Sequence, residues 1–147
     1  MEKKATTSCG CAVIRYFDGV PHVLLVRPFA ERDAWGIPKG HTDEGESFGE
    51  CALRETREEA GIEAILMKPL SSVKTSYKHE IKTVWGFIAR QRDQNAEPAA
   101  LDGENVDIRF FKLDELPNLH VYQRPLLDEV VKLVGEMKKE DFTLGNE

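Results

Sequence analysis

Cysteine is scarce and odd in number, three in 147 residues. Such a set excludes a disulfide-stapled scaffold. Cys9 and Cys11 form a C-x-C, but no second Cys/His pair stands near it, so they read as small residues on one strand face rather than as a soft-metal clamp. No apolar run approaches the roughly 20 residues of a membrane span. The opening MEKKATTS has no apolar centre of an export signal. With reduced thiols, this leads us to expect a cytoplasmic setting and no membrane partner. Positive charge is also short: 20 Lys and Arg against 26 Asp and Glu leave a net charge of −6. That argues against broad binding along nucleic-acid backbones. An anionic ligand would need a metal ion and local Lys or Arg to overcome the overall field. Repeats and low-complexity stretches are absent. What remains is ordinary for a globular chain, 41% hydrophobic and 31% charged. The length suits one domain able to bury a working core, expected over 1–147 with its core at about 8–135.

The informative stretch is Gly40–Ile62, GHTDEGESFGECALRETREEAGI. Ser47 followed by Glu50 is a capping-box pattern that satisfies two orphan N–H groups at a helix start. No proline interrupts 47–60, and Gly61 can adopt the left-handed conformation that ends a helix. Glu55, Glu58 and Glu59 then sit at i, i+3 and i+4, on one helical face. Carboxylates crowded in this way repel unless a cation neutralises them. With no thiol or imidazole among them, the cation they suit is hard, Mg²⁺ or Mn²⁺. The competing reading, a solvated acidic helix face, does not account for the glycine and glutamate spacing ahead of the helix.

That spacing resembles the Nudix box, G-x5-E-x7-R-E-U-x-E-E-x-G-U with U apolar. Gly40, Glu46, Arg54, Glu55, Glu58, Glu59 and Gly61 occupy all seven fixed positions. At background usages of roughly 5–8% per residue, a chance match at a given start is on the order of one in 10⁸. Thr56 departs at an apolar position and reads as a packing variant, its methyl facing a core. The preceding WGIPKG resembles the leader that commonly precedes the box.

Along the rest of the chain, 1–7 reads as a loose tail and Ser8–Phe17 as a strand. A turn at 18–21 joins it to a partner strand at His22–Arg27. Residues 28–39 read as a loop. Strands are expected at 62–67 and 70–77 around Lys68-Pro69, at 82–91 as a central strand, and at 106–113. The polar, proline-bearing 93–102 reads as a loop. Pro125–Met137 opens with proline in the first turn and carries a helical apolar stripe; 138–147 reads as frayed. The resemblance implies an α/β (α+β) fold, a mixed β-sheet sandwiched between helices.

The resemblance also implies chemistry: hydrolysis of a nucleoside diphosphate linked to another group, by water attacking phosphorus, with divalent ions neutralising charge. It casts Glu55, Glu58 and Glu59 as metal ligands, joined by the backbone carbonyl of Lys39. Glu55 is the first choice to combine metal binding with general-base duty. Arg54 becomes an orienter that keeps a neighbouring carboxylate ionised, and Glu46 a loop anchor or a water-mediated ligand. Glu104 is the candidate for the glutamate that some members add from outside the box, with Glu80 its rival.

For the substrate, Pro38-Lys39-Gly40-His41 and the run Tyr77–Ala89 resemble the diadenosine tetraphosphate hydrolases. In that reading Tyr77 and Lys82 address the polyphosphate, and Tyr77 or Tyr122 stacks on adenine. The side chain of Lys39 and His41 reach phosphate oxygens, or are simply solvated or satisfied by backbone. The alternatives are a (d)NTP or oxidised-nucleotide pyrophosphatase, a hydrolase of triphosphate-ended RNA, or one of diphosphoinositol phosphates. A non-catalytic nucleotide-sensing module is disfavoured because no box carboxylate is lost. A small nucleotide is the expected partner, with a monomer or homodimer as the assembly.

Overall fold

The computed structural model describes residues 4–28, 33–99 and 107–143. Strands β1 (Lys4–Phe17) and β2 (Val20–Arg27) form a hairpin, followed by the short β3 (Lys39–His41) and helix α1 (Phe48–Ala60). Then come β4 (Ala64–Pro69), β5 (Val73–Tyr77), β6 (Glu80–Gln91) and β7 (Asp107–Lys112). A 3₁₀ turn at Val121–Gln123 leads into α2 (Arg124–Glu136), and a second one covers Lys139–Phe142. The sheet order is β4-β6-β1-β2-β7, with β3 paired to β1 and β5 to β6. Only β1 and β6 run parallel among the named pairs, and the sheet is mixed, as expected.

Side-chain alternation along β1 separates two cores. Cys9, Cys11 and Val13 face α1, packing with Cys51, Ala52 and Ala60. Ala12 and Ile14 face α2, packing with Leu126, Leu127, Val130 and Val134. A strand covered on both faces has no use for polar residues, which is why CGCAVI reads as one unbroken apolar and small run. The β1–β2 hairpin turns through Asp18 and Gly19, at φ 50° and 79°, the pair of left-handed residues that a type I′ turn requires.

Helix α1 begins and ends as its sequence signals dictate. Ser47 and Glu50 form the reciprocal capping box, and Gly61 closes the helix at φ 68° with its N–H on the Arg57 carbonyl. Thr56 is fully buried, and its hydroxyl donates to the Ala52 carbonyl at 2.7 Å. A threonine at this apolar position is therefore tolerated because the helix itself satisfies its one polar atom.

Four boundary expectations need correction. Lys4–Thr7 are not a loose tail: they extend β1 and pair in parallel with Glu80–Thr83. Residues 138–142 are not frayed, since Phe142 is buried in the α2-side core and its ring lies 5.6 Å from Tyr16. Lys68-Pro69 do not break the chain; β4 runs through them with a register shift after Leu66, and β5 begins only at Val73. The leader before the box is not a free loop. Gly36 exchanges backbone hydrogen bonds with Val26, Trp35 N–H donates to Asn118, and Ile37 N–H donates to the buried Gln123 side chain at 2.8 Å. Among the described residues, no helix is long and apolar enough to cross a membrane.

All three cysteines are free and buried. Burial pushes the Cys11 and Cys51 thiols up to about 12, leaving almost no thiolate at neutral pH. A disulfide-exchange reagent at pH 8 should therefore modify the native protein slowly, at the rate of structural opening, and all three thiols promptly in denaturant. Rapid labelling of the native chain would contradict this packing.

Candidate active site

Helix α1 lies across β1 and β3 so that its acidic face meets the β3 backbone. Gly40 is the point of closest approach: a Cβ there would overlap the Glu55 carboxylate. The box glycine thus leaves the space that Glu55 occupies. One helical turn on, Glu59 Oε2 accepts the Lys39 backbone N–H at 2.5 Å, which ties the C-terminal half of the helix to the residue before the glycine.

Arg54 organises the rest. Its Nε and Nη2 make a two-pronged contact with Glu46, at 2.7 and 2.9 Å. Nη1 donates to Glu55 at 2.7 Å and to Glu58 at 3.1 Å. Nη2 also reaches the His41 carbonyl at 3.0 Å, and Asp43 lies within 3.3 Å of Nε. A planar guanidinium can serve this many acceptors at fixed angles; an ammonium cannot. Glu46 in turn accepts the Asp43 backbone N–H at 2.9 Å. The Arg54 guanidinium first, and then that backbone bond, lower the Glu46 carboxyl to about 2. Of the two roles open to Glu46, this is the geometry of the loop anchor. The Cys51 thiol completes the junction, donating to the Gly40 carbonyl at 3.4 Å.

Glu55 is largely covered, with a 13% exposed side chain, whereas that of Glu58 is 49% exposed. The set presents carboxylate oxygens on one helix beside main-chain oxygens of β3, all hard donors. Among the described residues, no three His, Cys, Asp or Glu side chains already converge as a closed cation shell. Arg54 now neutralises Glu55 and Glu58. The donor chemistry fits a hard divalent ion.

The opposite face of β3 carries different chemistry. Lys39 and His41, opposite Gly10 and Ser8 in β1, project to the α2 side. The Lys39 ammonium sits 5.5 Å from the centroid of the Tyr122 ring, a cation–π arrangement, and the His120 and Tyr122 rings stack with centroids 5.4 Å apart. Tyr122 and Lys82 line one pocket of about 450 Å³ with Thr75, Ser76, Glu80 and Val121. That volume falls within the range of small-molecule sites.

The structure therefore brings Glu46, Arg54, Glu55, Glu58, Glu59, Gly40 and the Lys39 backbone together on one side of β3. It brings the Lys39 side chain, Tyr122 and Lys82 together on the other. The His41 side chain is exposed, and the residue's contact with Arg54 is made by its backbone. Tyr77 pairs with Glu80 in the β5–β6 register; its side chain lies outside the described part. Glu104 also lies outside the described residues. Glu80 stands at the far end of β6, in an ion pair with Lys82 at 3.7 Å, not beside the box carboxylates. Thr75, Ser76 and Val121 were missed from sequence, because each carries an unremarkable side chain and only the hairpin and the 3₁₀ turn bring them to one pocket.

Because the Glu46 pKa is depressed in the fold, its contribution to stability is fully present above the ordinary carboxylate range and is lost as pH falls towards about 2. Glu46→Gln should therefore melt below the wild type at pH 7, with the gap closing between about pH 4.5 and 2. Arg54→Lys should cost about 2 kcal/mol at pH 7 by losing charge-assisted bonds, read as a fall in Tm. A pH-independent gap for Glu46→Gln would remove the ion network as its cause.

The sequence model of the NUDIX domain matches residues 7–130. Among curated proteins, the asymmetrical bis(5'-nucleosyl)-tetraphosphatase of Mus musculus is 39% identical over 85 residues, 55% of this chain and 57% of that protein. An RNA pyrophosphohydrolase of Erythrobacter litoralis is 29% identical over 118 residues, covering 67% of this chain and 72% of that protein. Among solved structures, a C. elegans Ap4A hydrolase binary complex superposes with a TM-score of 0.75 at 21% identity, covering 90% of this chain and 99% of that one. The aligned part thus spans little more than half of the mouse protein, and the likeness to the C. elegans structure is one of fold. With the box matched at every fixed position, its carboxylates gathered on one helix face and the domain model spanning 7–130, this chain belongs to the Nudix family.

Proposed function

We propose that the chain is a Mg²⁺-dependent pyrophosphohydrolase acting on dinucleoside polyphosphates, with diadenosine tetraphosphate, split to ATP and AMP, as the reference substrate. The observation that carries this reading is the two-sidedness of β3. A nucleotide seated in the Tyr122 pocket runs its phosphates past the Lys39 ammonium and meets the carboxylates of α1 at the same strand. The similarity to the asymmetrical tetraphosphatases supports the substrate class.

In this reading Glu55, Glu58, Glu59 and the Lys39 carbonyl hold the divalent ion, Mg²⁺ or Mn²⁺. When bound, it supplies neutralisation of the phosphate charge that grows in the transition state. The protein supplies the rest. Arg54 holds the Glu55 and Glu58 carboxylates in place. Lys39 and Lys82 offset the negative field of the chain where the polyphosphate lies, and Tyr122 offers a ring face to a base. Glu55, more sheltered than Glu58, accepts the proton as the water oxygen bonds to phosphorus. The anhydride P–O bond then breaks, its electron pair leaving with the departing phosphate oxygen.

The test is a hydrolysis panel in Mg²⁺ with product identification, run beside Glu58→Gln. Dinucleoside tetraphosphates should turn over at least ~100-fold faster in kcat/KM than dNTPs, ADP-ribose, triphosphate-ended RNA or diphosphoinositol phosphates. Glu58→Gln should lower kcat by ~100-fold or more, the scale of losing one preorganised charged group. Preferential turnover of triphosphate-ended RNA would replace the substrate class while leaving the reaction type. No turnover with either Mg²⁺ or Mn²⁺ would leave a nucleotide-binding module.

A further inference from the structure

Helix α2 opens on a residue that does not cap it. Gln123 holds the N-cap position, where a short acceptor such as Ser, Asp or Asn would satisfy the first N–H groups, yet its side chain makes no capping hydrogen bond. That side chain is spent elsewhere. Gln123 is 1% exposed, and its amide oxygen accepts the Ile37 N–H at 2.8 Å, from 86 residues away in the chain. The leader before the box makes room for it: a Cβ on Gly36 would stand 2.5 Å from the Gln123 amide nitrogen. Farther back, backbone bonds join the same two segments. Trp35 N–H donates to the Asn118 carbonyl at 2.9 Å, and His120 N–H donates to the Trp35 carbonyl at 3.0 Å. Gln123 adds a side-chain link beside the point where Lys39 and Tyr122 meet, since it follows Tyr122 directly and Ile37 stands two residues before Lys39.

We propose that Gln123 is a positioning residue: it sets the Tyr122 ring against the Lys39 ammonium and thereby fixes nucleotide affinity on the α2 side of β3. The two halves of that pair are held differently. The Lys39 backbone is pinned without Gln123, by pairing with Gly10 and by the Glu59 carboxylate on its N–H. Tyr122 rides on the 3₁₀ turn Val121–Gln123, and Gln123 ties that turn to the leader. Loss of the tie loosens Tyr122 relative to a Lys39 that stays in place. The carboxylate face, on the other side of β3, is not touched by this change. Binding and chemistry should therefore separate, as they would not if Gln123 only filled space in the core. This inference rests on the nucleotide reading of the Tyr122 pocket proposed above.

The test uses two variants on different segments. Gln123→Met keeps the length of the side chain and removes the acceptor. Gly36→Ala leaves Gln123 unchanged and pushes its amide away from Ile37. ATP binding to the intact chain is titrated at equilibrium without a divalent ion, and diadenosine tetraphosphate hydrolysis is followed in Mg²⁺. Each variant should weaken ATP binding about 10-fold, the scale of one base–aromatic or cation–π contact. The tetraphosphate KM should rise by a similar factor, with kcat within about 2-fold of wild type. In a Tyr122→Ala background, Gln123→Met should have no further effect on ATP, because it acts through that ring. ATP affinity unchanged in both variants, kcat lost without a rise in KM, or an equal loss of ATP affinity with and without Tyr122 would overturn the inference. So would a Tyr122→Ala chain that binds ATP as tightly as wild type. Should Gln123→Met not fold, Gly36→Ala carries the same readouts. ATP binding that depends on Gln123 through Tyr122, without tetraphosphate turnover, would remove the proposed reaction alone. Turnover with KM unchanged in both variants would remove this inference alone.

Discussion

The candidate site depends on one guanidinium holding apart and holding in place carboxylates that would otherwise repel. Arg54 bridges Glu46 of the loop before α1 to Glu55 and Glu58 of the helix, and reaches the backbone of β3 at His41. Loop, helix and strand are thereby registered against one another by a single rigid, permanently charged group. The acidic face can then be dense without unfolding the helix that carries it. Were the bridge an isolated surface ion pair it would contribute little. Shared among several acceptors, with the Arg54 side chain only 19% exposed, it fixes geometry.

The second constraint is the closeness of α1 to β3, which allows no side chain at Gly40. Here β3 works as a partition. Its Gly40 side is carboxylate and suits a hard cation; its other side is Lys39, leading to Tyr122 and the pocket of Lys82 and Glu80. A short strand of Lys39–His41 is enough because its register is pinned from both ends. Gln123 and Val26 hold the leader ahead of it, and Arg54 holds His41 behind it. A carboxylate face and a cation–π pair thus lie on opposite sides of one short strand, with Lys39 lending its backbone to the first and its side chain to the second.

Sequence alone made the acidic site legible because its information is local. Helix spacing puts Glu55, Glu58 and Glu59 on one face whatever the rest of the chain does, and the capping box and Gly61 fix where that helix begins and ends. Glu46 was open between two roles, and the contact with Arg54, eight residues on, favoured the anchor. The strand at Lys4–Thr7 and the buried Phe142 were not legible. A polar KATT becomes strand only when β6 supplies a parallel partner, and Phe142 is buried by chain-distant partners such as Tyr16.

The same division runs through the whole protein. The box spacing determined the face on which the acid groups lie, since that follows from backbone periodicity over a few turns, and the mixed sheet between helices was implied by the resemblance that the box carries. Only the tertiary structure decided that Lys39 and Tyr122, far apart in the chain, meet at 5.5 Å. It also decided that Glu80 belongs to the pocket rather than to the acidic face, because parallel pairing of β6 with β1 carries it to the far end of the sheet. Contacts of that kind depend on strand order and register, which no local pattern encodes.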